Sequence, residues 1–379
     1  MKTASSIPEA PSYLKKTVFS ILPAIFFFVI AEFILRLAGF QYSTAATAIV
    51  GNQINLDQEG MQRDPDLAWS WIPIAGAVRR IDIPRLRYSF DIHFNGSGYR
   101  GALLPIQRSA GTRRILAMGD SCTMGWGVGD EKTYCYRVQQ LLNKNASGRP
   151  VEVMNGGILG YTSFQGLHEF EKHMTRYHPD ILIICYNWND HLPALGMGTP
   201  QDGTMTPVPD KFLPKFALPS RFLTRLSVFR VTEFVEYIFA RFGLFSAINQ
   251  HHRTGERQTA GIVVRVAVPD FEKNLTELIQ EARAEKIVPF LMTEPSAPLI
   301  NIPLKQSELK KYYVLQDAYN RAIRETAAKE GVVLIDLVPA FASSEDSDLF
   351  LDLVHPTNKG HALIAQQIAP VVAPLLRKP

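Results

Sequence analysis

The sequence predicts an α/β chain built on a parallel sheet covered by helices on both faces. Short apolar strand signals alternate with helical patterns from residue 113 onward. Residues that can carry chemistry cluster just after the strand signals. The chain is also long and apolar enough for a large core, with 379 residues of which 46% are hydrophobic and 20% charged, and this excludes a disordered chain.

The chain opens on a polar stretch carrying Lys2, Lys15 and Lys16, assigned as a tail over residues 1–17. Residues 18–31 are then apolar apart from Ser20, and residues 18–37 read as one helix of about 20 residues, enough to cross a bilayer. Glu32 and Arg36 lie four apart on one face near its end. Lysines before the segment and only Arg36 close after it place the N-terminus in the cytoplasm and the body outside, periplasmic in a Gram-negative cell. A cleaved signal peptide is the rival reading, and a buried core helix the third. The small residues at 45–48 lie far beyond the apolar core, which favours an uncleaved inner-membrane anchor.

Residues 38–110 read as a small β-rich collar. Asp64-Pro65-Asp66 supplies a turn before Leu67-Ala68-Trp69-Ser70-Trp71, residues 88–94 alternate apolar and polar, and Asn95-Gly96 closes a tight turn.

Residues 111–379 form the predicted main domain. Strands are expected at 114–118, 151–154, 181–185, 287–292 and 332–335, with helices at 134–144, 163–177, 271–286, 312–330 and 359–376. Such alternation implies right-handed crossovers and a ligand site at the carboxyl ends of the strands. An insertion over about 191–265 interrupts it, Pro-rich at first. It then holds an amphipathic helix in which Val231, Phe234, Val235, Ile238 and Phe242 share a face. A lid, a dimer contact, a membrane contact or plain packing all fit that face, and the oligomeric state stays open.

The formal net charge of +4 comes from 40 basic and 36 acidic residues, and no basic run is dense enough to bind nucleic acid. Cys122, Cys135 and Cys185 are too few and too widely spaced for a disulfide framework and read as small core residues, with a reactive thiol at Cys122 the less favoured alternative. His168 and His173 are five apart, off the spacing of a helical metal pair, and His251-His252 sits in a polar loop, so no metal site is expected. The chain holds neither a P-loop nor a dinucleotide fingerprint, and no cofactor is expected.

Four strand-end positions converge. The apolar run 115–118 stops at Gly119-Asp120-Ser121, raising a hydroxyl above the sheet edge at a helix start. The second strand ends in Asn155-Gly156-Gly157-Ile158-Leu159-Gly160-Tyr161, the third in Tyr186-Asn187-Trp188-Asn189-Asp190, and Asp352-Leu353-Val354-His355 precedes the last helix. Each block alone has a plain structural reading as a cap, a turn or a surface pair. Together they supply a nucleophile in Ser121, a base in His355 and an orienting carboxylate in Asp352. The Ser121 N–H, the Gly157 N–H and the Asn189 amide are the candidate oxyanion donors.

These blocks resemble the SGNH (GDSL-type) hydrolase family, named for its Ser, Gly, Asn and His blocks, over residues 113–376 without the insertion. The anchor and the 95–101 stretch also resemble its membrane-anchored bacterial members. The resemblance implies a three-layer α/β/α fold with a five-stranded, flavodoxin-like parallel sheet, and ester hydrolysis or acyl transfer through an acyl-serine. Two departures bear on substrate size: Asn187 stands where glycine is usual, and Cys122 where a bulkier residue is common. Asn187, Trp188 and Cys122 are the candidate substrate contacts. Three functions follow: a membrane-anchored serine esterase acting on short-chain or acetyl esters of envelope carbohydrate, an O-acyltransferase on envelope glycans, or a non-catalytic envelope scaffold.

Overall fold

The computed structural model describes residues 13–38, 59–67, 69–144, 149–194, 196–197, 206–216, 230–231, 234, 238, 263–298 and 306–376. The chain divides into two compact units, residues 1–44 with 218–253, and residues 45–217 with 254–379.

In the first unit, helix α1 (Tyr13–Leu37) exposes Phe26, Phe27 and Phe33. Glu32 accepts hydrogen bonds from Arg36 at 2.6 Å and from the Val231 N–H at 3.0 Å. The insertion's expected helix is seen only at Val231, Phe234 and Ile238, while Val235 and Phe242 lie outside the described residues. No helix among the described residues is long and apolar enough to cross a membrane.

In the second unit, β1 (Met61–Arg63) pairs antiparallel with β2 (Trp71–Pro73), and β3 (Val78–Ile83) with β4 (Tyr88–His93). Asp64 Oδ1 accepts the Asp66 N–H at 2.7 Å in the first turn, and Asn95 Oδ1 accepts the N–H groups of Ser97 and Tyr99 in the later one. This is short-range carboxylate and amide turn chemistry. The collar is seated on the main domain by buried hydrogen bonds: Trp71 Nε1 donates to Leu159 O at 2.8 Å, and the Tyr161 hydroxyl donates to Trp71 O at 2.5 Å.

The main sheet takes β5 (Arg113–Gly119), β6 (Val151–Gly157), β7 (Ile181–Cys185), β10 (Val288–Met292) and β11 (Val333–Ile335). The short pair β8 (Gly196–Met197) and β9 (Thr206–Pro207) stands apart. All main-sheet pairings are parallel, in the order β11-β10-β7-β5-β6. This is the expected five-stranded flavodoxin-like sheet, with the chain reversing direction across β5. Alternate residues of β5 serve opposite layers. Leu116 and Met118 join one core with the collar's Trp71 and Phe90, and Ile115 and Ala117 join the other. A strand buried on both faces must be apolar throughout, which is why its signal is so plain.

The helices are α2 (Ser121–Met124), α3 (Tyr134–Lys144), α4 (Ser163–Glu169), α5 (Val268–Ala284), α6 (Gln306–Glu330), α7 (Leu337–Ala342) and α8 (Asn358–Leu376). One expectation differs. The helix foreseen over 163–177 is α-helical only to Glu169, then widens to a π-turn at Phe170–Met174 and tightens to a 3-10 turn at Thr175–Tyr177. Apolar spacing cannot show this, because Phe170 and Met174 are buried whichever turn links them. The insertion boundaries also shift inward. The N–H of Ala194 donates to Val263 O and that of Arg265 to Leu192 O, so both roots of the insertion belong to the second unit.

Candidate active site

Asp120 caps α2, its Oδ1 accepting the Cys122 N–H at 2.8 Å, and this turns the chain sharply so that Ser121 stands at the end of β5. The N–H of Ser121 has no hydrogen-bond partner among the described residues. Behind the turn, Arg100 is buried and donates to the carbonyls of Met124, Gly125 and Val128, satisfying the end of a helix too short to satisfy itself.

Asp352 and His355 lie on the loop before α8. Asp352 Oδ1 accepts the N–H groups of Val354 and His355 at 3.0 and 2.9 Å, a local turn that fixes the carboxylate. Its Oδ2 is 2.7 Å from His355 Nδ1, and His355 Nε2 is 2.9 Å from Ser121 Oγ. The geometry assigns the Nδ1 proton to Asp352 and leaves Nε2 to accept from the hydroxyl. Burial opposes ionisation of Asp352, but the hydrogen bond and charge of His355, with the two backbone N–H groups, outweigh it and hold the carboxyl down at about 2. Trp126 covers the imidazole, with ring centroids 4.6 Å apart, and its Nε1 donates to Glu59 at 3.3 Å.

Asn189 is held at the same edge, its Nδ2 donating one hydrogen to Asp120 Oδ2 at 2.9 Å. Trp188 next to it donates its backbone N–H to Glu294 Oε2 at 2.8 Å. Burial raises the pKa of both Asp120 and Glu294, and the Asp120 charge raises that of Glu294 further.

Three expectations need correction. The Gly157 N–H is taken by Asn155 Oδ1 at 3.1 Å, and a Cβ at Gly157 would stand 2.1 Å from Met124 N. Glycine is needed there because α2 lies directly on β6, not because the N–H reaches a ligand. Asn187 is fully buried and spends its amide on Gln316 O and on His191 Nδ1, so it supports the loop from inside. Cys122 is buried with its thiol toward Val354 O, and burial, with Asp120 and Glu294 nearby, raises its pKa well above the usual value. It is neither a reactive thiolate nor an open substrate contact. Trp188 is half-buried, its ring against His191 at 4.9 Å.

Gly160 stands in the second block but is not among the expected oxyanion donors. It has φ +74°, and its N–H has no hydrogen-bond partner among the described residues. Its carbonyl is fixed by Arg265, which is itself buried in an ion pair with Asp210. The loop passes beside the nucleophile turn, since the Ile158 N–H donates to Gly119 O at 3.0 Å. Arg100, Trp126 and Glu294 were also missed. Only their distant partners mark them, and a single sequence does not display those.

The sequence profile of the GDSL-like lipase/acylhydrolase family matches residues 117–363, and the chain belongs to that family. The family acts on ester bonds through a serine hydrolase site. Among solved structures, a lipase/acylhydrolase from Enterococcus faecalis shares 20% identity over 69% of this chain and 96% of its own, with a TM-score of 0.42. An acetylxylan esterase from Geobacillus stearothermophilus shares 18% over 68% of this chain and 93% of its own, with a TM-score of 0.41. A GDSL-like lipase from Bacteroides thetaiotaomicron shares 16% over 69% and 89%, with a TM-score of 0.40. No curated protein matches the chain in sequence.

Proposed function

We propose that the chain is a serine esterase for short acyl groups, with Ser121 as nucleophile, His355 as general base and then acid, and Asp352 as the orienting carboxylate. The unbroken chain of hydrogen bonds from Asp352 through His355 to Ser121, at 2.7 and 2.9 Å, carries this reading. Ser121 Oγ attacks the ester carbonyl carbon as its proton passes to His355 Nε2, and Asp352 stabilises the imidazolium. The oxyanion is received by the Ser121 N–H, the second hydrogen of Asn189 Nδ2 and, in place of Gly157, the Gly160 N–H. His355 then protonates the leaving alkoxide. Water, deprotonated by the same nitrogen, releases the acid and restores the serine. Ser121 is only 7% exposed and Trp126 roofs the imidazole, so an acetyl or similarly small acyl group fits best.

For the location, the proposal keeps the inner-membrane anchor over residues 18–37, with the catalytic unit outside and the acyl group carried by an envelope carbohydrate. Exposed Phe26, Phe27 and Phe33 on α1 support it, as does the apolar run of the sequence over residues 21–31.

A fluorophosphonate probe should label the wild type and not Ser121→Ala, and p-nitrophenyl acetate should turn over only in the former. A folded wild type that neither labels nor turns over the ester would refute the assignment. Release of free acid alone in the presence of an acetyl-accepting glycan distinguishes hydrolysis from acyl transfer.

A further inference from the structure

A second cluster of polar side chains lies away from the serine edge, where the collar meets the helix after β6. Asp64 and Asp66 occupy the turn between β1 and β2, and His173 sits in the π-turn Phe170–Met174. One ligating atom from each of the three lies within 4.8 Å of the others. Asp64 is fully buried. Its Oδ1 is used by the Asp66 N–H, but its Oδ2 has no hydrogen-bond partner. The buried Nε2 of His173 has none either, and it stands 3.5 Å from Asp64 Oδ2, beyond a normal hydrogen bond.

A third orphan borders them. Glu169 is 2% exposed, and its Oε1 accepts the Tyr99 hydroxyl at 2.8 Å while its Oε2 has no partner. Its carboxylate feels the charges of both His173 and Asp64.

Two buried polar atoms with no hydrogen-bond partner, joined only by an ion pair at 3.5 Å, are costly, at about 1–3 kcal/mol each. Their spacing suggests what they are for. Ligand atoms on a tetrahedral zinc ion, with bonds of roughly 2.0–2.2 Å, lie about 3.3–3.6 Å apart, the separation of Asp64 Oδ2 and His173 Nε2. One imidazole nitrogen with carboxylate oxygens is a zinc-type donor set, whereas calcium and magnesium favour oxygen alone. A π-turn is also an uncommon device, found frequently at functional sites.

We propose that Asp64, Asp66 and His173 form a divalent-metal site of the zinc class, with the Glu169 carboxylate beside it. The ion closes the β1–β2 turn onto the helix. From that turn the chain runs directly to Ser70 and Trp71, which hydrogen-bond Tyr161 and Leu159 on either side of Gly160. The site is therefore a structural clip on the collar. Scanning for paired histidines overlooked it because His173's partners are carboxylates far upstream in the sequence.

The test uses the untagged full chain, stripped with EDTA, re-equilibrated with zinc chloride and passed through gel filtration, with metal content and thermal unfolding both measured. One zinc ion retained per chain is expected, and a melting midpoint raised by a few degrees at zinc about 100-fold above the Kd. Both effects should vanish in His173→Gln and Asp64→Asn. A stripped wild type that retains no zinc and does not shift on its addition overturns the proposal and leaves an ordinary Asp64–His173 ion pair. Equal retention by wild type and folded His173→Gln overturns it as well. Should the variants fail to fold, the wild-type titration decides alone.

Discussion

The loop at 349–357 and the loop at 186–191 each bring a functional side chain to the carboxyl edge of one sheet, and they are built in opposite ways. The first is largely self-contained. Asp352 accepts the N–H groups of Val354 and His355, the Leu351 N–H donates to His355 O, and the acid and base are three residues apart. The second is held from outside: Asn187 by Gln316, the Trp188 N–H by Glu294, and the Asn189 amide by Asp120. Their carboxylates behave oppositely too. Asp352 is partly open, is hydrogen-bonded by His355 and two backbone N–H groups and stays ionised, whereas burial raises the pKa of Asp120, Asp190 and Glu294. A charged group that acts on its neighbour needs partial access to water. A carboxyl that only holds a loop can be sealed in, provided hydrogen bonds are found for it.

Breaking the first loop should have the largest effect. Ser121→Ala or His355→Ala is expected to lower kcat about 10⁴-fold or more toward a chromogenic acetyl ester, with unchanged circular dichroism, since the self-contained loop folds without its imidazole. Asn189→Ala should cost about 10²–10³-fold, in kcat more than in KM, because an oxyanion donor acts mainly in the transition state. Separate kcat and KM measurements check the division. A change confined to KM would place Asn189 in ground-state binding instead.

The supports of the second loop come next. Glu294→Leu leaves the part-buried Trp188 N–H without an acceptor and should cost about 1–3 kcal/mol in denaturant unfolding, while Glu294→Gln keeps an acceptor and should cost less. If both variants were equally unstable, the carboxyl would matter for its shape and not for that bond.

The same contrast explains what the sequence disclosed. The five strands were legible because burial on both faces leaves continuous apolar runs such as Ile181–Cys185. Ser121, Asp352 and His355 were legible because a strand end and a three-residue spacing are local features. Gly157 misled for the opposite reason. In sequence a glycine offers only permission, and its contact with α2 and the engagement of its N–H by Asn155 appear only in three dimensions. Asn187 misled likewise, since its partner Gln316 lies on α6. Arg100, Glu294 and Arg265 act on backbone segments remote in sequence, so no spacing rule could reach them.

The smallest expected effect is also the sharpest test of the contrast, because its sign differs between the two loops. Asp352 has a folded value of about 2, below the roughly 4 of an unfolded aspartate. Its contribution to stability is therefore present above pH 4 and is lost as pH falls toward 2. Asp190 is raised to about 8, chiefly by burial and by Asp210, against the pull of Ser163 and Arg265. Between about pH 4 and 8 the folded chain keeps a proton at Asp190 that the unfolded chain has released, so stability declines as pH rises through that window. The slope is at most roughly 1.4 kcal/mol per pH unit for one proton. Denaturant unfolding from pH 3 to 9 should show Asp190→Asn flattening the neutral limb and Asp352→Asn flattening the acid limb, each leaving the other intact. If Asp190→Asn instead left the neutral limb unchanged, Asp190 would be ionised beside Arg265 in that window, and the contrast between sealed and open carboxylates would fail at that loop.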